Sequence, residues 1–427
     1  MGKIKVVIFP AGAENALEIY NSLKYNLHLE IFGISSKSDH AKYIYPENNY
    51  IQGKFNINDE GFLERLNTIL EELDIDIIIP THDTVALYLA ENKEMIHAKV
   101  LTSDKKTARI AREKRLTYDL FKGESFCPKI FLNPAQIATF PVIIKPNIGE
   151  GAKNIFKVTS KKNLDYIMSS HEDMLISEFL PGDELTVDCF TNRQGELLFI
   201  GPRTRERIQM GISFRSQSVA LSDEMKHIAE TINNRLSFRG AWFFQIKKDS
   251  NNNYKLLEVS IRQAGTMALF RQLGVNFALL GIFDLLEKDV EINKNNFEIT
   301  LDRCLYNRYS MNYEYDKVYI DLDDTLIVKE KVNTTLIQFI YQCINQSKKV
   351  FLITKHEKSV EETLLNYRIS SIMFDGIIHL KIDEKKSDFI NPDKAILIDN
   401  YFMERKQAKN LLSIPVFDVD AVESLLL

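Results

Sequence analysis

Apolar residues in this chain fall mainly in short runs bounded by glycine, proline or polar clusters, the signature of buried strands alternating with helices. Val6-Val-Ile-Phe9 leads through Pro10-Ala-Gly12 into an Ala- and Leu-rich stretch, which reads as strand, turn and helix, the opening of a doubly wound sheet. Residues 29–34 and 75–80 are further strands, so residues 1–102 read as a small α/β domain. In the middle of the chain, residues 174–178 and 184–190 flank a Pro181-Gly182 turn, and the second run alternates in polarity. Residues 241–247 and 254–262 flank the turn-forming Asp249-Ser-Asn-Asn-Asn253 and predict a hairpin. With Asn251 and Asn252 at its tip, antiparallel pairing sets Gln245 opposite Glu258, on the face shared by Ser260 and Arg262. Toward the C-terminus, residues 318–320, 350–353 and 395–398 are three more buried-strand patterns. Only one helix, residues 334–344, fits between the first two, which leaves no room for a large lid.

At 427 residues the chain is too long for one ordinary core, and two to three domains are expected. The net charge of -5 is spread over mixed signs without a basic stripe, so electrostatics give no indication of a nucleic-acid partner. Cys127, Cys189, Cys304 and Cys343 are widely spaced and lack C-x-x-C pairing, which argues against a zinc site or a disulfide framework and for a reduced, cytoplasmic protein. The N-terminus opens on a strand, not a leader, and no apolar run approaches bilayer length, so no membrane partner is expected. Oligomeric state is left open, with room for a homo-oligomer.

The C-terminal runs end in chemistry. In Asp321-Leu-Asp323-Asp324-Thr325 the two carboxylates are two residues apart and would share one strand face. One can attack phosphorus while the other handles the leaving-group proton and a magnesium ion screens the charge. Thr354 ends the next strand with a hydroxyl that could hold a phosphoryl oxygen, and Asp399 ends the third as a metal ligand. Lys381, Lys385 or Lys386 could neutralise the charge. Over roughly residues 316–427 this order of motifs resembles the haloacid dehalogenase phosphohydrolase superfamily. The resemblance implies Asp321 as nucleophile, Asp323 as acid/base, Thr354 on phosphate, Lys386 as the cation, and magnesium held by Asp321, Asp323 and Asp399. Asn400 stands where such proteins often have a second acid; Glu404 either compensates or bridges Arg405 or Lys406.

The middle of the chain carries a second phosphate signature. Pro141-Val-Ile-Ile-Lys145 ends a strand on an ammonium, and Gly149, Gly151 and Lys153 follow in a loop whose amides can approach phosphate. The spacing is not that of a P-loop, and the single Gly12 makes no dinucleotide fingerprint. Glu178 precedes a connector whose backbone could pair with an adenine edge, and Glu184 could accept ribose hydroxyls. On the hairpin, Gln245, Glu258 and Ser260 offer oxygens to one magnesium, with Arg262 beside a transferring phosphoryl group. Arg203 and Arg205 could bind a carboxylate- or phosphate-bearing acceptor, or bridge nearby acids. Thr81-His82-Asp83 follows a strand end; His82 and Asp83 could contact substrate, or Thr81 or Asp83 could cap the next helix.

Residues 1 to about 310 thus resemble an ATP-grasp ligase of the carbamoyl-phosphate-synthetase-like branch, with Glu258-Val-Ser-Ile-Arg262 standing for that family's E-x-N-x-R motif. The resemblance implies that Lys114 and Lys145 bind ATP phosphates, that Glu178, Phe179 and Leu180 line the adenine, and that Glu184 meets the ribose. Ser260 departs from the family's asparagine. The implied architecture is α/β and multidomain: a Rossmann-like pre-ATP-grasp domain (1–102), an α+β ATP-grasp domain (103–312) and a doubly wound, haloacid dehalogenase-like domain without a large cap (313–427). The implied function is bifunctional. ATP and Mg2+ would serve to activate a small-molecule carboxylate as an acyl-phosphate for an amine or similar nucleophile, and the C-terminal domain would hydrolyse a phosphomonoester. Carbamoyl-phosphate-type synthesis, a ligase with a non-catalytic docking domain, and a nucleotide sensor are the other readings.

Overall fold

The computed structural model describes residues 2–149, 151, 153–209, 211–307, 309 and 311–426. Glu150, Ala152 and Met210, which fall within the expected phosphate loop and the arginine-rich segment, lie outside the described residues. The chain divides into two compact units, Met1–Leu305 and Tyr306–Leu427. Among the described residues no single helix is long and apolar enough to cross a membrane.

The first unit begins with a parallel sheet of order β3-β2-β1-β4-β5, formed by β1 (Ile4–Phe9), β2 (Leu29–Ser35), β3 (Tyr50–Gln52), β4 (Ile77–Pro80) and β5 (Lys99–Val100). Val6, Val7, Ile8 and Phe9 are all buried because both faces are covered, which is why the run is continuously apolar and does not alternate. One face carries α2 (Phe62–Glu72), whose Phe62, Leu66 and Leu70 form its buried stripe. The other carries α1 (Glu14–Leu23) together with a helix from far along the chain, Phe277–Leu285, whose Ala278, Ile282 and Leu285 share a core with Val6 and Ile8. Because the opening sheet needs that distant helix to cover it, residues 1–305 hold together as one compact unit.

After α3 (Asp83–Glu91) come α4 (Lys105–Arg112), N-capped by Asp104, and α5 (Lys114–Leu120). A small antiparallel sheet follows, of order β6-β9-β7-β8, from β6 (Ile130–Phe131), β7 (Val142–Pro146), β8 (Phe156–Val158) and β9 (Met174–Glu178), with α6 (Lys161–Ser170) between the last two. The larger antiparallel sheet, β11-β10-β14-β15, is made by β10 (Glu184–Thr191), β11 (Leu197–Thr204), β14 (Gly240–Lys248) and β15 (Tyr254–Ser260). α7 (Asp223–Arg235) packs on it, burying Trp242, Phe244, Val187 and Leu256 in the largest core. β12 (Glu206–Gln209), β13 (Ile212–Gln217) and β16 (Thr300–Asp302) form a third antiparallel sheet, and α8 (Ala268–Gln272) and α9 (Phe277–Leu285) lie between β15 and β16.

The second unit is a parallel sheet of order β21-β20-β17-β22-β23, from β17 (Lys317–Ile320), β20 (Lys349–Thr354), β21 (Gly376–His379), β22 (Ala395–Ile398) and β23 (Val416–Phe417). Between β17 and β20 stand only the short hairpin β18 (Ile327–Val328) and β19 (Lys331–Val332) and α10 (Thr334–Asn345). α11 (Val360–Asn366) and α12 (Phe402–Leu412) complete the covering layers.

Candidate active sites

In the first unit the hairpin β14–β15 sets the chemistry. Gln245 stands opposite Glu258, but not through the simple two-residue tip that the sequence suggests. Lys248 pairs with Tyr254, so the loop is five residues long and the ladder starts one step out of register. A bulge at Leu257 restores it: Ile246 faces Leu256 while Gln245 faces Glu258. The carbonyl of that extra residue accepts the Tyr118 hydroxyl at 2.6 Å, and the same hydroxyl accepts from Lys145 Nζ at 2.5 Å. Tyr118 is thus the hinge between α5, β7 and β15. Sequence reasoning passed over it because a lone tyrosine in a short helix carries no motif.

Lys145 is buried at the end of β7. Burial, with Lys114 adding repulsion, pushes its ammonium down to about 7 against the pull of Glu258 and Glu184. Lys114 reaches Glu258 at 3.9 Å. These residues line a cavity of about 280 Å³ that also holds Gly149, Gly151, Lys153, Glu178, Phe179, Leu180, Glu184 and Gln245. The cavity collects every side chain expected to meet nucleotide. Within it, Glu178 accepts from the backbone N–H of Lys129 at 2.7 Å, and Lys157 Nζ lies 4.1 Å from the centroid of the Phe179 ring. Glu184 is engaged by Arg205 at 2.7 Å and Lys247 at 3.6 Å.

A second cavity of about 280 Å³ shares Lys114, Arg205, Gln245 and Glu258 with the first and extends to His82, Asp83, Ser260, Arg262 and Arg203. Here several expected roles change. Asp83 caps no helix and is committed to protein partners: Arg262 Nε and Nη2 approach its Oδ2 at 2.9 and 2.8 Å, and Ser260 Oγ donates to Oδ1 at 2.6 Å. Burial opposes ionisation of Asp83, but Arg262, the Ser260 hydroxyl and Arg112 together hold its carboxyl below the ordinary value. Ser260, expected as a metal oxygen, is therefore oriented by Asp83 and lines only the second cavity. The Thr81 hydroxyl donates to the Pro10 carbonyl at 2.7 Å. Arg203 is only partly available to an acceptor: its Nε and Nη2 clasp Asp188 at 2.7 and 3.0 Å, with both side chains fully buried, which leaves Nη1 uncommitted among the described residues. Such pairing satisfies a buried acid on β10 that no motif announces.

The second unit gathers its charged groups at the C-terminal ends of β17, β20 and β22. Lys386 Nζ bridges Asp321 Oδ1 and Asp399 Oδ2, each at 2.6 Å. Burial, reinforced by Asp399 and opposed by Lys386, pushes the Asp321 carboxyl up to about 6. Thr354 Oγ1 is buried with no hydrogen-bond partner among the described residues. Asp323 departs from expectation. β17 ends at Ile320, before either carboxylate, so strand alternation does not fix where Asp321 and Asp323 point. The Asp323 carboxylate, half exposed, receives His356 Nδ1 at 2.9 and 3.0 Å, and His356 Nε2 meets Thr363 Oγ1 at 2.8 Å. As a side-chain metal ligand beside Asp321 and Asp399, Asp323 is displaced; among the described residues no three His, Cys, Asp or Glu side chains cluster in ligating range. Glu404 pairs with Lys355 at 2.6 Å, not with Arg405 or Lys406. The imidazole of His356 escaped sequence reasoning, although its place two residues beyond Thr354 was the available signal.

A family model described as ATP-grasp in the biosynthetic pathway with Ter operon matches residues 170–302. No curated protein matches the chain. Among solved structures, the biotin carboxylase domain dimer of Hydrogenobacter thermophilus 2-oxoglutarate carboxylase, in complex with MgADP, ADP and bicarbonate, is 13% identical; the match covers 70% of this chain and 74% of that one with a TM-score of 0.57. N5-carboxyaminoimidazole synthetase from Staphylococcus aureus, complexed with ADP, is 15% identical over 69% of this chain and 80% of its own, TM-score 0.57. An L-amino acid ligase from Bacillus licheniformis is 17% identical over 66% and 74%, TM-score 0.53. At such low identity these likenesses bear on architecture, and what they show is that the chain is a mixed α/β protein carrying the ATP-grasp fold.

Proposed function

We propose that the chain is an ATP- and Mg2+-dependent carboxylate–amine ligase, organised as a Rossmann-like pre-ATP-grasp domain (1–102), an ATP-grasp domain (103–312) and a haloacid dehalogenase-like phosphatase domain (313–427), and working in the cytoplasm. The observation that carries the ligase reading is the shared wall of the two cavities, where Gln245, Glu258 and Lys114 meet. The nucleotide fits the first cavity on chemical grounds: Lys145 is a buried cation with its ammonium depressed, a group that gains from an anionic neighbour. Glu178, Phe179 and Leu180 would take the adenine, Glu184 the ribose, and Lys114, Lys145, Lys153 and the backbone at Gly149 and Gly151 the phosphates. Gln245 and Glu258 offer hard oxygens suited to magnesium, which supplies charge neutralisation at the phosphates.

The protein's own part is positioning. Arg262, held by Asp83, places its guanidinium at the wall of the second cavity, where a carboxylate substrate would sit against the terminal phosphate. Transfer of that phosphoryl group gives an acyl-phosphate, and an amine displaces phosphate to form the amide. In the second unit, Asp321 would attack phosphorus, Asp323 would protonate the leaving oxygen, Thr354 would hold a phosphoryl oxygen with its hydroxyl, and Lys386 would screen Asp321 and Asp399.

The ligase reading is tested by a mass-spectrometric screen for ATP-dependent coupling across amino acids, sugar acids and nucleotide sugars, with ADP followed in parallel. Substrate-dependent ADP and a coupled product are expected. ATP binding with no ADP under any mixture would leave a nucleotide sensor, and bicarbonate-dependent ADP without an organic acid would mark carbamoyl-phosphate-type synthesis. Phosphate release from a generic phosphomonoester should vanish in Asp321→Asn; equal rates in wild type and variant would reduce the second unit to a docking module.

A further inference from the structure

The second cavity holds more positive charge than the activation chemistry uses. Among the described residues its lining places Arg112, Lys114, Arg203, Arg205, Arg262 and Arg303 beside Glu14, Asp83 and Glu258, with Asp188 and Glu184 answering Arg203 and Arg205 from outside the cavity. Two of the arginines are poorly matched. Arg203 spends Nε and Nη2 on Asp188, yet its Nη1 is buried with no hydrogen-bond partner among the described residues. Arg303, just beyond β16, lies over the backbone of Gly265: a Cβ built on that glycine would fall 2.3 Å from Arg303 Nη2. The ion pair it makes, with Glu14, is long at 3.7 Å, and Glu14 is largely exposed. Burial pulls the Arg303 guanidinium below its ordinary value against the attraction of Glu14, and the neighbouring Arg203 adds to the fall.

Leaving a donor of a buried guanidinium unpaired is costly, and so is setting a second guanidinium near it in a partly desolvated cavity. An oxyanion between them would answer both costs, since guanidinium forks match phosphate and carboxylate oxygens. We infer that Arg203 and Arg303 form an anion subsite in the second cavity, which takes a phosphate or carboxylate group carried by a substrate at a distance from the carboxyl being activated. The inference rests on the ligase reading for what the cavity is used for, and it makes the substrate class polyanionic. It also gives Gly265 a reason: any side chain there would push Arg303 out of place.

The test is calorimetric titration of inorganic phosphate, and separately of succinate, into the full-length protein, both free and saturated with the magnesium complex of a non-hydrolysable ATP analogue. Phosphate or succinate should bind with nucleotide present, and Arg303→Gln and Gly265→Ala should each weaken it by about tenfold or more, the loss expected for a charged hydrogen-bond partner. The tighter of the two ligands identifies the group. Unchanged affinity in Arg303→Gln, or anion binding to the wild type that nucleotide abolishes, overturns the subsite, the latter because the anion would then occupy the triphosphate position. Nucleotide affinity, read in the same titrations, reports the other failure: a protein that binds phosphate through Arg303 but no nucleotide keeps the subsite and loses the ligase reading.

Discussion

Nucleotide binding should draw a proton onto Lys145. The lysine is 6% exposed and its ammonium sits at about 7, against an ordinary value of 10.5, chiefly because burial strips its solvent. At 1.36 kcal/mol per unit, holding that charge in the empty cavity costs on the order of 5 kcal/mol. A triphosphate alongside would return most of it, so the nucleotide-bound lysine is charged across the whole neutral range. Above pH 7 the free protein must therefore take up a proton as it binds. Calorimetry of a non-hydrolysable ATP analogue with Mg2+, in Tris and in HEPES, should show uptake of about nine-tenths of a proton at pH 8 and little at pH 6, with affinity falling about tenfold per unit from pH 7 to 9. Lys145→Met should abolish the uptake. The same depressed lysine reduces folding stability fully below pH 7, and the penalty lifts as pH rises from 7 toward 10.5, where the unfolded chain holds the extra proton. Buffer-independent enthalpies at pH 8, with a pH-independent affinity, would refute the reasoning.

Three further outcomes follow from particular contacts. Asp188→Asn leaves Arg203 buried without its counter-charge and should cost about 3–5 kcal/mol in urea denaturation; a loss under about 1 kcal/mol would show that the pair does not hold β10 to β11. If His356 orients Asp323 as the acid that protonates the leaving group, His356→Gln should slow hydrolysis of an alkyl phosphate by about tenfold or more while barely affecting 2,4-dinitrophenyl phosphate, and equal losses on both would reduce His356 to a structural role. Tyr118→Phe removes the hydroxyl that joins Lys145 to the Leu257 carbonyl at the bulge, so nucleotide affinity should fall by about tenfold while the fold, read by circular dichroism, persists; unchanged affinity would show that the bridge does not position Lys145.

Local order was legible from the chain alone wherever neighbours in sequence are also neighbours in the fold. Buried runs such as Val6–Phe9 and 395–398 announce strands because strands covered on both faces must be continuously apolar. The ends of those runs carry Lys145, Asp321, Thr354 and Asp399, and strand ends are where parallel sheets and their loops present polar groups. The juxtaposition of Gln245 and Glu258 could also be anticipated, since one short loop joins their strands. Even there the route differed: a five-residue loop and a bulge replaced a simple tip.

What tertiary structure alone decided was which charge answers which. Asp83 and Arg262 are 179 residues apart in sequence and Arg203 and Asp188 lie on neighbouring strands, and nothing in composition or period selects these pairings over others. Nor could spacing show that β17 stops before Asp321 or that Asp323 meets His356. Periodicity records what a residue must bury, and that is written locally. A buried charge takes whichever opposite group chain closure brings within reach, and that choice exists only once the sheets and helices have packed.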